Sequence, residues 1–181
     1  MEKLLKGMFF KELLDQVKET RGNPGVKALE RNYGAPLEFS AFKDYPVENH
    51  LKLLKQAAVI LYGQADPDSY LKIGILSFQT FSQSLIGKTL LTLYANNLRK
   101  AASAISKLWE GISNFGVREA YDLGRHRAKI TIKKDPRPPE YLAGVLMGAA
   151  QHFGETAKVE TRVLGVDDYE FMIDWQNNPK G

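Results

Sequence analysis

The chain has 181 residues, of which 44% are hydrophobic and 25% charged, with a formal net charge of +4 and no cysteine. That size suits one compact domain, residues 1–181, and the charge content argues against wholesale disorder. Without cysteine there can be no disulfide, no thiolate metal site and no cysteine nucleophile, and a cytoplasmic location is the compatible expectation.

The first residues, Met1 to Lys11, interrupt their apolar run with charges, so a signal-peptide core is not expected. No stretch reaches the roughly 18 apolar residues of a membrane span. The longest candidate, Leu85 to Ala95, is broken by Gly87 and Lys88.

The opening segment reads as a helix. Leu5, Phe9, Leu13 and Val17 recur at helical spacing, while Lys11, Glu12, Asp15 and Lys18 take the other face. Gly22-Asn-Pro-Gly25 stops it, and a short helix from Val26 to Tyr33 follows. Residues 34 to 46, with Gly34, Pro36 and Pro46, read as a surface loop. Val47, Leu51, Leu54, Ala58 and Leu61 mark the buried stripe of a helix that Gly63 ends. Asp66-Pro67-Asp68 is a helix start: a capping side chain, proline at the first position and an acid at the positive end of the dipole. The segment after it is apolar on nearly every side, which predicts a central helix. Further helices are expected from Leu85 to about Tyr94 and over Leu98 to Ile112.

After Gly116 the period changes from helical to two. Ala128, Ile130 and Ile132 alternate with Arg127, Lys129, Thr131 and Lys133, and residues 117–123 pair with them through a turn at Gly124-Arg125. A helix over 139–153 follows the prolines. Ala157, Val159, Thr161 and Val163 then share one strand face, and Tyr169, Phe171, Ile173 and Trp175 another, with Gly165-Val-Asp167 as the turn. The expected fold is α+β: a helical part, 1–115, packed on a four-stranded antiparallel sheet of ββαββ order, 116–181.

Few residues carry chemistry. His152, with Glu155 three positions on, is a weak metal candidate; a helix-end histidine favouring the negative dipole end is the simpler reading. His50 sits in a first helical turn and is expected to be exposed; His126 starts a strand among arginines. No metal is expected. Gly144 and Gly148 point to close packing of the last helix across the sheet rather than to a phosphate site, because a helical glycine costs up to about 1 kcal/mol and needs a packing return. Asp167, Asp168 and Asp174 are the carboxylates of the last hairpin, the first two read as turn residues. The basic group Arg125, Arg127, Lys129, Lys133, Lys134 and Arg137 is read as a solvated strand face, and nucleic-acid binding is not expected. Tyr70, Phe78, Phe81, Tyr94 and Trp109 form an aromatic helical interior that either fills the core or lines a pocket for a small apolar ligand. There is no P-loop, no Gly-x-Ser-x-Gly and no other catalytic motif, so no catalytic residue is assigned.

Two stretches resemble a known family. Lys6-Gly-Met-Phe-Phe-Lys-Glu-Leu-Leu-Asp-Gln-Val17 is similar to the opening of H-NOX (haem nitric oxide/oxygen-binding) domains. Gly144-Val-Leu-Met-Gly-Ala-Ala-Gln-His-Phe-Gly-Glu155 and the following strand pair resemble their close. A closer likeness is to an uncharacterised family expanded in myxobacteria, which shares Tyr45-Pro46, Pro138-Pro-Glu-Tyr-Leu-Ala-Gly144 and the strand-ending Trp175.

The resemblance implies the fold but not the cofactor. Haem-binding members carry a proximal histidine before the first strand, and Leu98 to Phe115 holds none. They grip the propionates with Tyr-x-Ser-x-Arg, where this chain reads Ile132-Lys-Lys-Asp-Pro-Arg137. The expectation is therefore a haem-less sensory or regulatory module that binds a small apolar or amphiphilic ligand and signals to a partner protein. The alternative is an interaction or homodimerisation module with a filled core. An enzyme like the 4-vinyl-reductase-like relatives is not expected, since their cysteine or metal chemistry is missing.

Overall fold

The computed structural model describes residues 1–92, 100 and 109–177. Apart from two short strands in the helical part, its elements follow the expected order. Strand β1 (Leu4–Lys6) leads into α1 (Met8–Tyr33); then come β2 (Asp44–Pro46), α2 (Val47–Tyr62), α3 (Pro67–Gln83) and α4 (Leu85–Thr92). The second half holds β3 (Val117–Gly124), β4 (Arg127–Lys133), α5 (Pro139–His152), β5 (Glu155–Gly165) and β6 (Asp168–Asn177). The predicted helix from Leu98 falls mostly outside the described residues, as does the end of the one before it.

The four long strands form one antiparallel sheet in the order β3-β4-β6-β5. Alternation explains its inner face: Ala128, Ile130, Ile132, Ala157, Tyr169, Phe171, Ile173 and Trp175 are all buried. A side chain the size of Phe171 contributes about 1.5–3 kcal/mol on full burial, so this row alone anchors the layer. Helix α5 crosses from β4 to β5 and lies between the sheet and α3.

The glycines of α5 serve close packing, but against a helix rather than the sheet. A Cβ added at Gly148 would lie 2.7 Å from the carbonyl oxygen of Ile75. Added at Gly144, it would run into the Leu71 carbonyl, and at Gly74 of α3 into that of Tyr141. The two backbones touch, so nothing larger than hydrogen fits between them there.

The helix signals are realised locally. Asp66 Oδ1 accepts from the Ser69 amide at 2.8 Å, and Gly63 closes α2 at φ 84°. Gly22, at φ 63° and ψ −163°, breaks α1 ahead of Pro24, so the chain continues helical in a new direction.

Several expectations are corrected. Leu5 is fully buried but belongs to β1, which pairs with β2 across Leu5 and Tyr45; the helix begins only at Met8. Part of the expected 34–46 loop is therefore strand. Glu12, assigned to the solvent face of α1, is buried, and so is Gln16. His50 is fully buried rather than exposed. The core positions of α3 are Ser69, Ile73, Gly74 and Ser77, while Tyr70, Phe78 and Phe81 are only half-buried. Arg137 leaves the solvated basic face altogether and lies in the interior.

Candidate functional site

The sequence candidates divide between places. Phe78 and Phe81 meet edge to face at 5.9 Å along the flank of α3, and Phe78 also meets His152 at 5.9 Å. Tyr70 lies two turns earlier on the same helix. Trp109 stands apart, with Phe9 at 5.9 Å and Phe115 at 6.1 Å. Tyr94 lies outside the described residues. His152 is exposed, with Phe153 at 5.2 Å. Among the described residues no group of three or more His, Asp or Glu side chains could hold a metal ion. Arg125 and His126 turn the β3–β4 hairpin at φ 45° and 63° and border an open hollow of about 710 Å³ with Lys158 and Trp175. Asp174 there is paired with Arg127 at 3.1 Å.

The concentrated chemistry lies elsewhere, in a polar seam between the helices and the sheet. Its first part is an ion cluster. Asp135, fully buried in the β4–α5 connection, accepts from Arg137 Nε at 3.0 Å, Arg137 Nη2 at 2.8 Å and the Arg137 amide at 3.1 Å. Its second oxygen also takes a short charged hydrogen bond from Arg118. Arg118 reaches the interior because it alternates with Ala120 on the inner face of β3, opposite Ile132.

The hairpin aspartates fix this connection, Asp167 through its main chain and Asp168 through its side chain. The Asp167 carbonyl accepts from the Asp135 amide at 2.9 Å, and Asp168 Oδ1 accepts from the Lys134 amide at 2.8 Å. Their role exceeds the turn assigned to them. The indole of Trp109 lies under both cations, 3.3 Å from Arg118 Cζ and 4.5 Å from Arg137 Cζ, and donates to the Phe115 carbonyl at 2.7 Å.

The electrostatics are those of two buried cations sharing one anion. Burial pushes the Asp135 carboxyl up, but the charges and hydrogen bonds of Arg137 and the charge of Arg118 prevail and hold it at about 2. Burial likewise lowers Arg118, to about 9, against the pull of Asp135.

The second part of the seam adjoins the first through Arg137 and Tyr141, 5.7 Å apart. Gln16 Nε2 donates to Ser77 Oγ at 3.0 Å, and Tyr141 approaches the same hydroxyl at 3.4 Å. The His50 ring packs edge-on to Phe10 at 5.3 Å and Tyr141 at 6.0 Å. Both His50 nitrogens and Gln16 Oε1 are buried without a hydrogen-bond partner. Burial, reinforced by the Arg137 charge, holds His50 down at about 3, with Asp135 opposing, so the ring is neutral. Burial raises the Glu12 carboxyl well above its ordinary range, only partly opposed by Arg137, which favours the uncharged acid. Burial also pushes Tyr141 up to about 12.

This arrangement offers one donor and one acceptor on imidazole, one amide acceptor and an acid, between aromatic walls. Each buried polar atom left bare costs about 1–3 kcal/mol, so a set of three calls for a partner. Sequence reasoning missed these residues although a signal existed. Glu12 and Gln16 continue the i, i+4 row from Met8, beside the apolar stripe. His50 lies three after Val47 and four before Leu54, on the buried face.

Comparisons place the chain. It superposes on the crystal structure of an H-NOX protein from S. oneidensis in the Fe(II)NO ligation state with a TM-score of 0.78 and 18% identity, covering 96% of this chain and 100% of that one. Against the Fe(II) unliganded H-NOX protein from K. algicida the TM-score is 0.74 at 16% identity, covering 98% and 100%. No curated protein matches. The fold is thus that of H-NOX domains. The family described as "Protein of unknown function (DUF2378)" matches residues 1–176, and the chain belongs to it.

Proposed function

We propose that the protein is a sensory binding domain that keeps the H-NOX scaffold, does not hold haem, and takes a small uncharged amphiphile at the seam. The observation that carries this reading is the buried, unpartnered trio of His50 Nδ1, His50 Nε2 and Gln16 Oε1 beside Glu12. A hydroxyl or amide head group would satisfy these atoms, and its apolar part would lie against aromatic side chains. Phe10 and Tyr141 flank the trio. Trp109, Phe78, Phe81, Tyr70 and Tyr94 remain candidates for the apolar wall. Ligand binding would bias how the helices meet the sheet, and a partner would read that difference.

The residues do not fit haem. Leu98 to Phe115 supplies no axial imidazole. Of the residues expected to clamp propionates, Arg137 is present, but Asp135 already engages it through two nitrogens. An incoming propionate would face that buried carboxylate.

Thermal unfolding of the purified chain with phenol, indole, 1-decanol, decanoate and haemin tests the proposal. At a hundredfold excess over Kd an uncharged binder adds about 2.7 kcal/mol of stability, a Tm rise of roughly 5–11 °C. At least one of the three uncharged probes should produce it, and His50→Phe, which keeps an apolar-tolerant ring in place, should abolish it. A shift from haemin alone, no shift from any probe, or an undiminished shift in His50→Phe would overturn the reading.

A further inference from the structure

Strand β5 closes one side of the sheet, with β6 on its other flank. Free edges present unpaired backbone donors and acceptors, and proteins usually blunt them with short strands, bulges or proline. This edge is long, 11 residues, holds no proline, and keeps regular register with β6 from Glu155 to Val163, its irregularity falling at the end, between Val163 and Gly165. Its second half is bare: Val163 is 64% exposed, Leu164 45%, and Val166, in the turn beyond, 92%.

The charges on the strand are only half matched within the protomer. Lys158 and Glu160 pair on the outer face at 2.6 Å. Arg162 lies opposite Glu170 in the register, but that carboxylate takes Lys129 at 3.8 Å. Among the described residues Arg162 makes no ion pair.

We propose that β5 pairs antiparallel with β5 of a second copy about a two-fold axis through Thr161, joining two four-stranded sheets into one. A two-fold perpendicular to the sheet keeps the inner faces on one side, so only registers centred on a residue are possible. Centred on Thr161, Arg162 stands opposite Glu160 of the partner subunit, twice over by symmetry. Val159 stands opposite Val163 of the partner subunit on the inner face.

The neighbouring registers fail on charge. Centring on Glu160 sets Glu against Glu and Lys158 against Arg162; centring on Lys158 or Arg162 sets like against like. Centring on Val159 matches Lys158 with Glu160 but leaves Arg162 opposite Thr156 and Val163 opposite Glu155. Only the Thr161 register sets Arg162 beside an opposite charge, Glu160 of the partner subunit, which holds its own Lys158 through Oε1 and has Oε2 to offer, and at the same time covers the exposed valine. Backbone hydrogen bonds then supply affinity, and the charges supply register.

The absence of cysteine makes a clean test possible. Directly opposed residues of an antiparallel pair have Cα atoms about 4.5–5.5 Å apart, within disulfide range. Mild oxidation of Thr161→Cys should yield disulfide-linked dimer as the main product, while Val166→Cys, more exposed but distant from the axis, should not cross-link. By sedimentation velocity the unmodified chain should show a concentration-dependent dimer. Arg162→Glu should weaken it at least tenfold, and Glu160→Arg combined with Arg162→Glu should restore it. Thermal unfolding confirms that each variant folds. A monomer at every concentration, equal cross-linking of the two cysteine variants, or indifference to the charge reversal would overturn the proposal.

Discussion

Asparagine in place of Asp135 is expected to remove about 3–5 kcal/mol of folding stability. The reason is charge balance. Asp135 is the anion shared by Arg118 and Arg137, both almost wholly buried. Asparagine keeps the shape but leaves two cations in the interior, 3.3 and 4.5 Å from one indole ring. Cation–π attraction to Trp109 offsets only about 0.5–2 kcal/mol of that. In a chain of this length the loss should appear as a Tm decrease of roughly 6–20 °C, or as an equal drop in urea stability. Asp68→Asn is the control: its pair with Lys72 is exposed on both sides, so the Tm should hardly move. An equal response of the two variants would contradict the account of the cluster.

Glutamine in place of Glu12 should make stability fall more steeply on acidification than it does in the unmodified chain, because Glu12 and His50 act in opposite senses. His50 titrates near 6.5 when free but is held at about 3 in the fold. As pH falls through 6.5, the unfolded chain binds a proton that the folded protein refuses, so stability falls with pH. Glu12 acts oppositely. Its ordinary value is 4.5 and the fold raises it well above that. As pH rises through 4.5, the unfolded chain releases a proton that the folded protein keeps, so stability falls as pH rises. Above pH 4.5, until the folded Glu12 itself ionises, the two slopes oppose each other.

With Glu12→Gln the histidine slope is no longer opposed by Glu12; it approaches about 1.4 kcal/mol per pH unit and amounts to about 2 kcal/mol between pH 6.5 and 4.5. His50→Gln should show the reverse sign over the same range. The stabilising contribution of Asp135 is complete above 3.8 and is lost only toward about 2, so it does not disturb this window. Urea unfolding at a series of pH values reads both slopes. A Glu12→Gln variant with the same slope as the parent would show that the two groups do not oppose each other.

The sheet was legible because its residues obey one simple rule. Tyr169, Phe171, Ile173 and Trp175 alternate with Glu170, Met172 and Asp174, and every one of the four is buried. The Asp66 cap and the Gly22 break were legible for the same reason: each acts on its own neighbours in sequence. The seam was not. His50, Glu12 and Gln16 occupy core positions with polar side chains, and a reading that equates polarity with exposure sends them to the surface. Their burial depends on what meets them across the fold, from Ser77, Tyr141 and Arg137. Arg137 looked like one more residue in a basic run; only its neighbour two positions earlier, Asp135, shows why it turns inward. The glycines announced a close approach but not its partner, because α3 is some seventy residues away in sequence and shows its own glycine, Gly74, without context.

The absorption spectrum of the protein isolated from the cells that make it tests the central claim most directly. If Asp135 has taken over the arginines and no imidazole stands in the stretch Leu98 to Phe115, the spectrum should show aromatic absorption and no Soret band. A Soret band at one haem per chain would mean that the scaffold still carries iron porphyrin, and that the seam serves it rather than another molecule.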